Sequence, residues 1–343
     1  MTCRFAYMLL VFACACLTLA PTVSTASEKP LAVYFVDVEG GQATLVVSPS
    51  GQSLLVDTGW PGFNGRDADR IVAAAKDAGL AQIDYVVITH YHRDHVGGVT
   101  QLASRIKIGE FVDHGPNMED SDVTREDYAA YLKVATPDKR LTVKPGDEIP
   151  IKGLTVKVVA GAGQSIQTPL SGAGQPNPYC ASEPTAPDDA TENGRSLGLL
   201  ITYAKFRMAD LGDLTKRKEL ELVCPNNLIG TVDLYVVTHH GFDQSNAKAI
   251  VDALHPRVAI MDNGARKGGS PAAWQIVHDS PGLEDLWQLH YAIEGGKDHN
   301  VSDALIANPD ENCAGKYIKV TATPDESFTV LNLRNNYAKT YAK

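Results

Sequence analysis

The 343-residue sequence has no long run of basic residues, and its 41 acidic residues outnumber its 31 lysines and arginines. The formal net charge is -10 at pH 7, with both signs mixed along the chain. A protein that binds a long polyanion over a wide surface needs a basic face, and this composition does not supply one. A nucleic-acid substrate would therefore have to be held locally, by a bound metal.

Beyond its first thirty residues, the sequence also has no apolar run long enough for a membrane helix. At the N-terminus, Arg4 precedes an apolar stretch over residues 5–20, and small residues follow as far as Ala26. This pattern predicts a secretory signal peptide over residues 1–26. We expect the mature chain, residues 27–343, to be exported to the periplasm or the extracellular space. An uncleaved anchor, or lipid attached to a cysteine of the signal, is the alternative.

Cysteine is scarce in the predicted mature chain, which keeps only Cys180, Cys224 and Cys313. They are far apart and lack the CxxC spacing of a zinc-thiolate site. In an oxidising compartment one pair can form a disulfide, and one cysteine is left over. All pairings remain open, with Cys180–Cys224 preferred because both flank the same central segment.

The sequence lacks two common enzyme signatures. GQSLL at residues 51–55 does not fit the GxSxG pattern of a serine nucleophile, and GARKGGSP at residues 264–271 does not have the Walker spacing. Arg266 and Lys267 in the second segment are interpreted as loop residues that favour solubility, with contact to an anionic substrate as the alternative. No serine or cysteine nucleophile motif therefore competes with metal-dependent chemistry.

Short apolar runs alternate with helical patterns along the chain, which predicts an α/β fold. We expect one domain over residues 27–343. A segment rich in Gly, Pro, Ser and Asp, at about residues 161–195, is predicted to be a long surface insertion in it. Examples of the predicted elements are strands at residues 31–38 and 84–89, and helices at residues 66–80 and 246–255.

Two segments of the sequence echo each other. DYVVITHYH begins at Asp84 and DLYVVTHHG begins at Asp233, and each places an apolar strand and a threonine before histidine. The echo suggests two halves whose central strands both deliver histidines to one edge, which would be the functional site. Any two buried strands that end in Thr-His look alike, so the echo alone does not establish a duplication.

The densest histidine cluster in the sequence is HYHRDH, at residues 90–95. His90 and His92 are two residues apart, so in extended backbone their imidazoles point the same way and can share one metal ion. Asp94 and His95 begin the next predicted helix and can reach a second ion. Imidazole and carboxylate ligands suit zinc, manganese or iron, with zinc the default where thiolates are absent.

HYHRDH fits the HxHxDH signature of the metallo-β-lactamase superfamily, and LLVDTG, LGD and THHG occur in that superfamily's order. Together with FVDVEGGQATLVV and HPRVAIMDNG, they most resemble the competence-type branch, found in DNA-uptake proteins and their secreted relatives. The resemblance covers residues 31–292. It implies an αββα sandwich, two mixed β-sheets flanked by helices, with a binuclear metal site at the sheet edges and hydrolytic chemistry.

The resemblance also implies roles for the residues that match the HxHxDH motif. His90 and His92 would bind the first metal, and Asp94 and His95 the second. This chain departs from the superfamily where a third histidine of the first metal is usual, since it has ENGRS before LGLLITY. His114, at the end of a predicted strand, is the candidate substitute, with a surface or indirect role as the alternative.

In the second half, Asp213 matches the aspartate that bridges both metals, and it is preferred to Asp210 because of its Gly-Asp turn. His240 matches the last ligand of the second metal, and His239 could support it or exchange that role. Asp57 is implied to orient a ligand imidazole, with turn capping as the alternative.

Two bound ions would lower the pKa of water and polarise a carbonyl or phosphoryl oxygen, and Asp94 or Asp213 could steer that water. His290 is a candidate pocket residue, with a place in an aromatic cluster as the alternative. The branch resemblance favours a phosphodiester or another ester, in a small-molecule or nucleotide-type substrate. The alternatives are a β-lactam or lactone hydrolase and a secreted metal-binding protein with little turnover.

Overall fold

The computed structural model describes residues 1–3 and 29–343 of the chain. The predicted signal peptide, residues 1–26, therefore lies outside the described residues except for its first three. Of the helices in the described part, none combines the length and apolarity needed to cross a membrane.

The described residues form eighteen strands and seven α-helices. The first nine strands are β1 (Leu31–Phe35), β2 (Thr44–Val47), β3 (Ser53–Val56), β4 (Gln82–Val87), β5 (Lys107–Asp113), β6 (Arg140–Thr142), β7 (Glu148–Ile149), β8 (Thr155–Gly161) and β9 (Gln164–Ser165). The others are β10 (Gly198–Tyr203), β11 (Phe206–Asp210), β12 (Leu234–Val236), β13 (Val258–Met261), β14 (Asp285–His290), β15 (Ile306–Asn308), β16 (Ile318–Ala322), β17 (Phe328–Asn332) and β18 (Tyr337–Tyr341). The helices are α1 (Arg66–Asp77), α2 (Arg93–Val96), α3 (Val99–Ala103), α4 (Asp122–Tyr131), α5 (Lys216–Val223), α6 (Lys248–Leu254) and α7 (Pro271–His278).

The strands belong to two mixed sheets. The first has the order β18-β17-β16-β1-β2-β3-β4-β5-β6, and its strands are parallel from β3 to β6. The second has the order β15-β14-β13-β12-β11-β10-β8-β7, with β9 paired to β8, and its strands are parallel from β11 to β15. Each sheet therefore has a central parallel strand, β4 in one and β12 in the other, whose carboxyl end can carry functional side chains.

The side chains of single strands alternate between two apolar layers. Leu54 and Val56 of β3 pack between the two sheets, whereas Leu55 faces the helices on the outside of the first sheet. In β10, Ile201 packs between the sheets and Leu200 faces the helix layer of the second sheet. This period of two is what strands buried on both faces require. The predicted αββα sandwich is confirmed.

A disulfide joins the Gly- and Pro-rich segment to the second sheet's helices. Cys180 and Cys224 are bonded, with an S–S distance of 2.02 Å and 44 residues between them in sequence. Cys224 directly follows α5, so the bond ties this segment to the end of that helix. The preferred pairing is confirmed, and Cys313 has a free thiol.

Candidate metal centre

The two echoing segments of the sequence meet in the fold. β4 and β12 both end shortly before the histidine-bearing residues, 90–95 and 239–240. His95 Nε2 lies 3.1 Å from His240 Nε2, although 145 residues separate them. Two parallel strands from different sheets therefore deliver histidines to one place.

Four buried residues form the centre of this site. One ligand atom from each of Asp94, His95, Asp213 and His240 lies within 4.8 Å of the other three. Asp94 Oδ2 is 3.2 Å from His95 Nε2 and 3.3 Å from His240 Nε2. Imidazole nitrogens and carboxylate oxygens at such spacing are the donor set of a divalent metal site.

The carboxylate of Asp213 lies among four imidazoles. Its Oδ2 atom is 3.2 Å from His95 Nε2, 3.4 Å from His239 Nε2 and 3.8 Å from His90 Nε2. Its Oδ1 atom is 3.5 Å from His240 Nε2. Asp213 thus contacts histidines from both halves of the chain, whereas Asp210 instead accepts a hydrogen bond from Gln42 Nε2 at 2.7 Å.

Burial and charge set the protonation of this cluster. Burial opposes ionisation of Asp213, but the neighbouring histidines, His239 first, outweigh it and hold the pKa of Asp213 well below its usual range. Burial also opposes a charge on His95, yet the carboxylates of Asp213 and Asp94 raise its pKa well above 6.5. Burial lowers the pKa of His90 well below that value. The site therefore offers ionised carboxylates and a neutral imidazole, the states that ligate metals.

Two aspartates outside the cluster hold its imidazoles. His95 Nδ1 donates to Asp57 Oδ2 at 2.7 Å, and Thr89 donates to both carboxylate oxygens of Asp57. His240 Nδ1 lies 3.3 Å from Asp262 Oδ1. In each histidine Nε2 is left to face the cluster, as in metal-binding histidines whose other nitrogen is held by a carboxylate. The sequence analysis did not assign Asp262, although it directly follows β13 just as Asp57 directly follows β3.

Replacing Asp57 by alanine is expected to weaken metal binding about 10- to 100-fold, because His95 loses the carboxylate that fixes its ring. Competition with a chelating dye measures the dissociation constant. Asp84→Ala is the matched control, since Asp84 accepts hydrogen bonds from Ser53 near the opposite end of β4. Equal metal affinity in the Asp57 and Asp84 variants would contradict the positioning role.

Two glycines allow backbone to pass close to the cluster. A Cβ atom at Gly41 would lie 2.3 Å from the carbonyl oxygen of Asp94, and one at Gly268 would lie 2.2 Å from that of His240. Gly268 also has a φ of +78°. Any side chain at either position would push apart the segments that carry these two cluster residues.

The residues predicted for the first metal are less tightly gathered. His90 and His92 have ring centroids 4.7 Å apart, and His90 Nε2 is buried without a hydrogen-bond partner. His92 Nε2 donates to Glu119 Oε2 at 2.9 Å. Glu119 was not predicted from the sequence, where it lies in a polar loop with no motif around it.

His114 contacts a glutamate and does not belong to the four-residue cluster. Its Nε2 atom donates to Glu192 Oε2 at 3.0 Å, and both side chains are buried. Glu192 also accepts from the backbone N–H groups of Tyr91 and Met118. Glu192 belongs to the ENGRS stretch where the superfamily's third histidine is usual. The His114–Glu192 pair therefore stabilises the loop that carries His92. A ligand role for His114 stays a prediction.

Lys267 lies at the centre of the site, contrary to its interpretation as a solubility residue. Its Nζ atom donates to Asp94 Oδ2 at 2.6 Å and stands within 5.6 Å of the ring centroids of Trp60 and Phe242. Arg266 pairs instead with Glu311 at the surface. Only the fold brings Lys267 to Asp94, because 173 residues separate them in sequence.

His290 belongs to a second, separate cluster. Its Nε2 atom donates to Asp37 Oδ1 at 2.7 Å, while Cys313 Sγ donates to Asp37 Oδ2 at 3.3 Å. Arg70 forms an ion pair with the same carboxylate at 3.0 Å. His290 thus pairs with a carboxylate away from the four-residue cluster. Among the described residues it has no aromatic ring contact of the kind that the alternative predicted, and a role in the pocket stays a prediction.

The His290–Asp37 pair predicts a loss of stability at high pH. Burial opposes a charge on His290, but the hydrogen bonds to Asp37 and Cys313 outweigh it and raise its pKa to about 9. Relative to an ordinary value of 6.5, the stabilisation is fully present below pH 6.5 and is lost as the pH rises through about 9. It amounts to roughly 3 kcal/mol.

Urea unfolding between pH 6 and pH 9.5 measures this effect. The experiment uses Cys313→Ser protein as the background, so that thiol ionisation does not contribute, and compares it with the same protein carrying His290→Gln. The background protein is expected to lose stability over this range and the His290 variant to lose much less. Parallel curves for the two would contradict the assignment.

Two mixed sheets between helix layers, with imidazoles and carboxylates converging at their strand ends, define a metal-binding protein of αββα architecture. Residues 36–167 match the family model described as the metallo-beta-lactamase superfamily. This part of the chain, which includes HYHRDH, is thus similar to that superfamily, as the motifs predict.

Individual proteins also resemble parts of the chain. ComE operon protein 3 of Bacillus subtilis is 29% identical over 54% of this chain and 20% of its own length. A UPF0173 metal-dependent hydrolase of Staphylococcus epidermidis is 34% identical over 19% of this chain and 25% of its own length. The chain thus spans a quarter or less of either relative. Among solved structures, the metallo-beta-lactamase fold protein YhfI of Bacillus subtilis has a TM-score of 0.42, with 14% identity over 68% of this chain and 85% of its own.

These findings agree with the predicted similarity to competence-related proteins. The hydrolase activity named for the UPF0173 relative is that protein's own. The substrate, the identity of the metal, the number of ions and export are matters for the proposal that follows.

Proposed function

We propose that the mature chain is an exported hydrolase that uses two divalent metal ions, zinc by default, to cleave a phosphodiester or another ester. The observation that carries the proposal is the placement of Asp213 among His90, His95, His239 and His240. A single carboxylate in contact with imidazoles from both halves of the chain suits a bridge between two cations.

The residues of the site fit such ions. His90 Nε2 and Asp213 Oδ1 are buried and make no hydrogen bond, so each has a lone pair free for a ligand. Asp94, His95 and His240 would hold one ion together with Asp213. His90 and His92 would hold the other, again with Asp213.

Divalent ions bound there would supply a water of lowered pKa and positive charge opposite the transition state. The chain's own groups would orient the reaction. Asp94, held by Lys267, would accept a proton from the attacking water or orient it. The Lys267 ammonium, which is partly shielded from solvent, would stabilise negative charge on the reacting group.

Two measurements test this proposal. Metal analysis of protein purified without added metal is expected to give two ions per chain. Assays with zinc or manganese are expected to show turnover of bis-p-nitrophenyl phosphate. Turnover of nitrocefin alone would favour the β-lactam or lactone alternative. No turnover of either substrate with several metals would favour a metal-binding protein. Fractionation of expressing cells tests export, which cytoplasmic retention of the uncleaved chain would contradict.

A further inference from the structure

A cleft opens beside the candidate metal centre. It has a volume of about 440 Å³ and lies between residues 186–193 of the Gly- and Pro-rich segment and the start of α5, with His92 in its wall. We call it the His92 cleft. Thr215 and Lys216 line it and follow Asp213 in sequence by two and three residues, so a group bound there lies next to the proposed reaction site.

The polar groups at the start of α5 lack the partners that such groups usually have. Thr215 is the N-cap residue of the helix, but its side chain makes no capping hydrogen bond. It is only 9% exposed, and its Oγ1 atom has no partner. An N-cap threonine normally accepts a hydrogen bond from the first turn, so this hydroxyl keeps its hydrogen-bonding capacity free beside the cleft.

The charge at this end of the cleft is positive. Within the described part of the chain, Lys216 forms no ion pair, and Arg217 beside it reaches only Glu221, at 3.5 Å. The positive end of the α5 dipole adds to the field of these cations.

The acidic residues of the cleft are already engaged. Asp188 pairs with Lys218 at 3.4 Å, and Asp189 accepts the backbone N–H of Thr191. Within the described residues neither carboxylate forms an ion pair with Lys216, so the ammonium of Lys216 is free to pair with an anion in the cleft.

We propose that the His92 cleft binds a second anionic group of the substrate, a terminal phosphate or a carboxylate, through Thr215, Lys216 and Arg217. The inference rests on the proposed function and narrows it. The preferred substrate is then a short nucleotide-type phosphodiester that carries a phosphate monoester beside the scissile bond. The cleft is too small for a duplex, in keeping with the acidic net charge.

Zinc-loaded protein tests this with two thymidine dinucleotides, pTpT with a 5′-phosphate and TpT without one. The wild type is expected to have a kcat/KM about 10-fold higher for pTpT, mostly through a lower KM. Lys216→Ala and Thr215→Val are expected to remove most of that preference. Lys107→Ala, at an exposed lysine of β5, should keep it. Equal kcat/KM for the two substrates in the wild type, or equal losses on both in the Lys216 variant, would overturn the proposal.

A binding measurement separates this inference from the proposed function. Calorimetry with thymidine 3′,5′-bisphosphate is expected to show at least 10-fold weaker binding to the Lys216 variant than to the wild type. If no phosphodiester is hydrolysed but this difference appears, the proposed function fails and the anionic site stands. If dinucleotides are hydrolysed and the bisphosphate binds both proteins equally, the anionic site fails and the hydrolase stands.

Discussion

Asp213→Ala is expected to lower hydrolysis on the order of 10³-fold and to empty at least one of the two metal positions. The alanine removes the charge that offsets two neighbouring cations, so the ions repel each other and the weaker site loses its metal. The fold should persist, because Asp213 lies in a turn beyond β11 and outside the apolar layers. Metal content per chain, together with circular dichroism, measures both effects.

Asp210→Asn is the matched control for this experiment. Asp210 is as buried as Asp213, and burial raises its pKa to about 7, so it is partly protonated at neutral pH. Its partners are Gln42 and the backbone of Gly212, and the amide of Gln42 can turn to suit the new side chain. This variant should keep both ions. If it loses metal while Asp213→Ala keeps two ions and full activity, the assignment of the second half is wrong.

Replacing both Cys180 and Cys224 by serine is expected to lower the free energy of unfolding by about 4 kcal/mol. The bond closes a loop of 44 residues, and in the chain-entropy model its loss frees the unfolded chain by that amount. Metal content should not change, since neither cysteine belongs to the candidate centre. Denaturant unfolding of the purified, oxidised protein gives the measurement.

Cys313→Ser serves as the comparison for the disulfide variant, because Cys313 has a free thiol and closes no loop. We expect it to unfold within about 1 kcal/mol of the wild type. An unfolding midpoint of the double variant that matches this control would show that the disulfide does not restrain the unfolded chain.

The sequence predicted those parts of the site that lie within one local pattern. His90, His92, Asp94 and His95 lie within one segment of six residues, so their spacing alone indicates a metal site. The residues that contact this site from other segments could not be predicted from such a pattern. Lys267, Asp262 and Glu192 occur in polar stretches without a motif. Each acts on a residue of another chain segment, Asp94, His240 and His114 respectively, and only folding brings these segments together.

The fold, like the site, could be predicted from the sequence where the pattern is local, but not where it depends on pairing between distant strands. The alternation of apolar runs and helical patterns predicted the α/β layers, and the helix at residues 66–80 is α1, Arg66–Asp77. The family resemblance ended at residue 292, so it did not predict where the last strands lie in the sheet. β16 and β17 alternate buried and half-buried residues, whereas β18 is mostly exposed. Only the pairing of β16 with β1 shows that these three strands complete the first sheet.

That pairing bears on the order in which the chain can fold. β1 lies between β2 and β16, and Leu31 is opposite Ala322, so the first strand of the described residues is adjacent to one of the last. The edge of β1 that pairs with β16 stays exposed until β16 has been synthesised. The pairing then closes a loop that contains almost the whole chain, and forming such a distant contact is slow. The first sheet therefore cannot be completed early in folding. Until β16 pairs with it, that edge of β1 can pair with a strand of another chain, so the unfinished protein is open to aggregation through it.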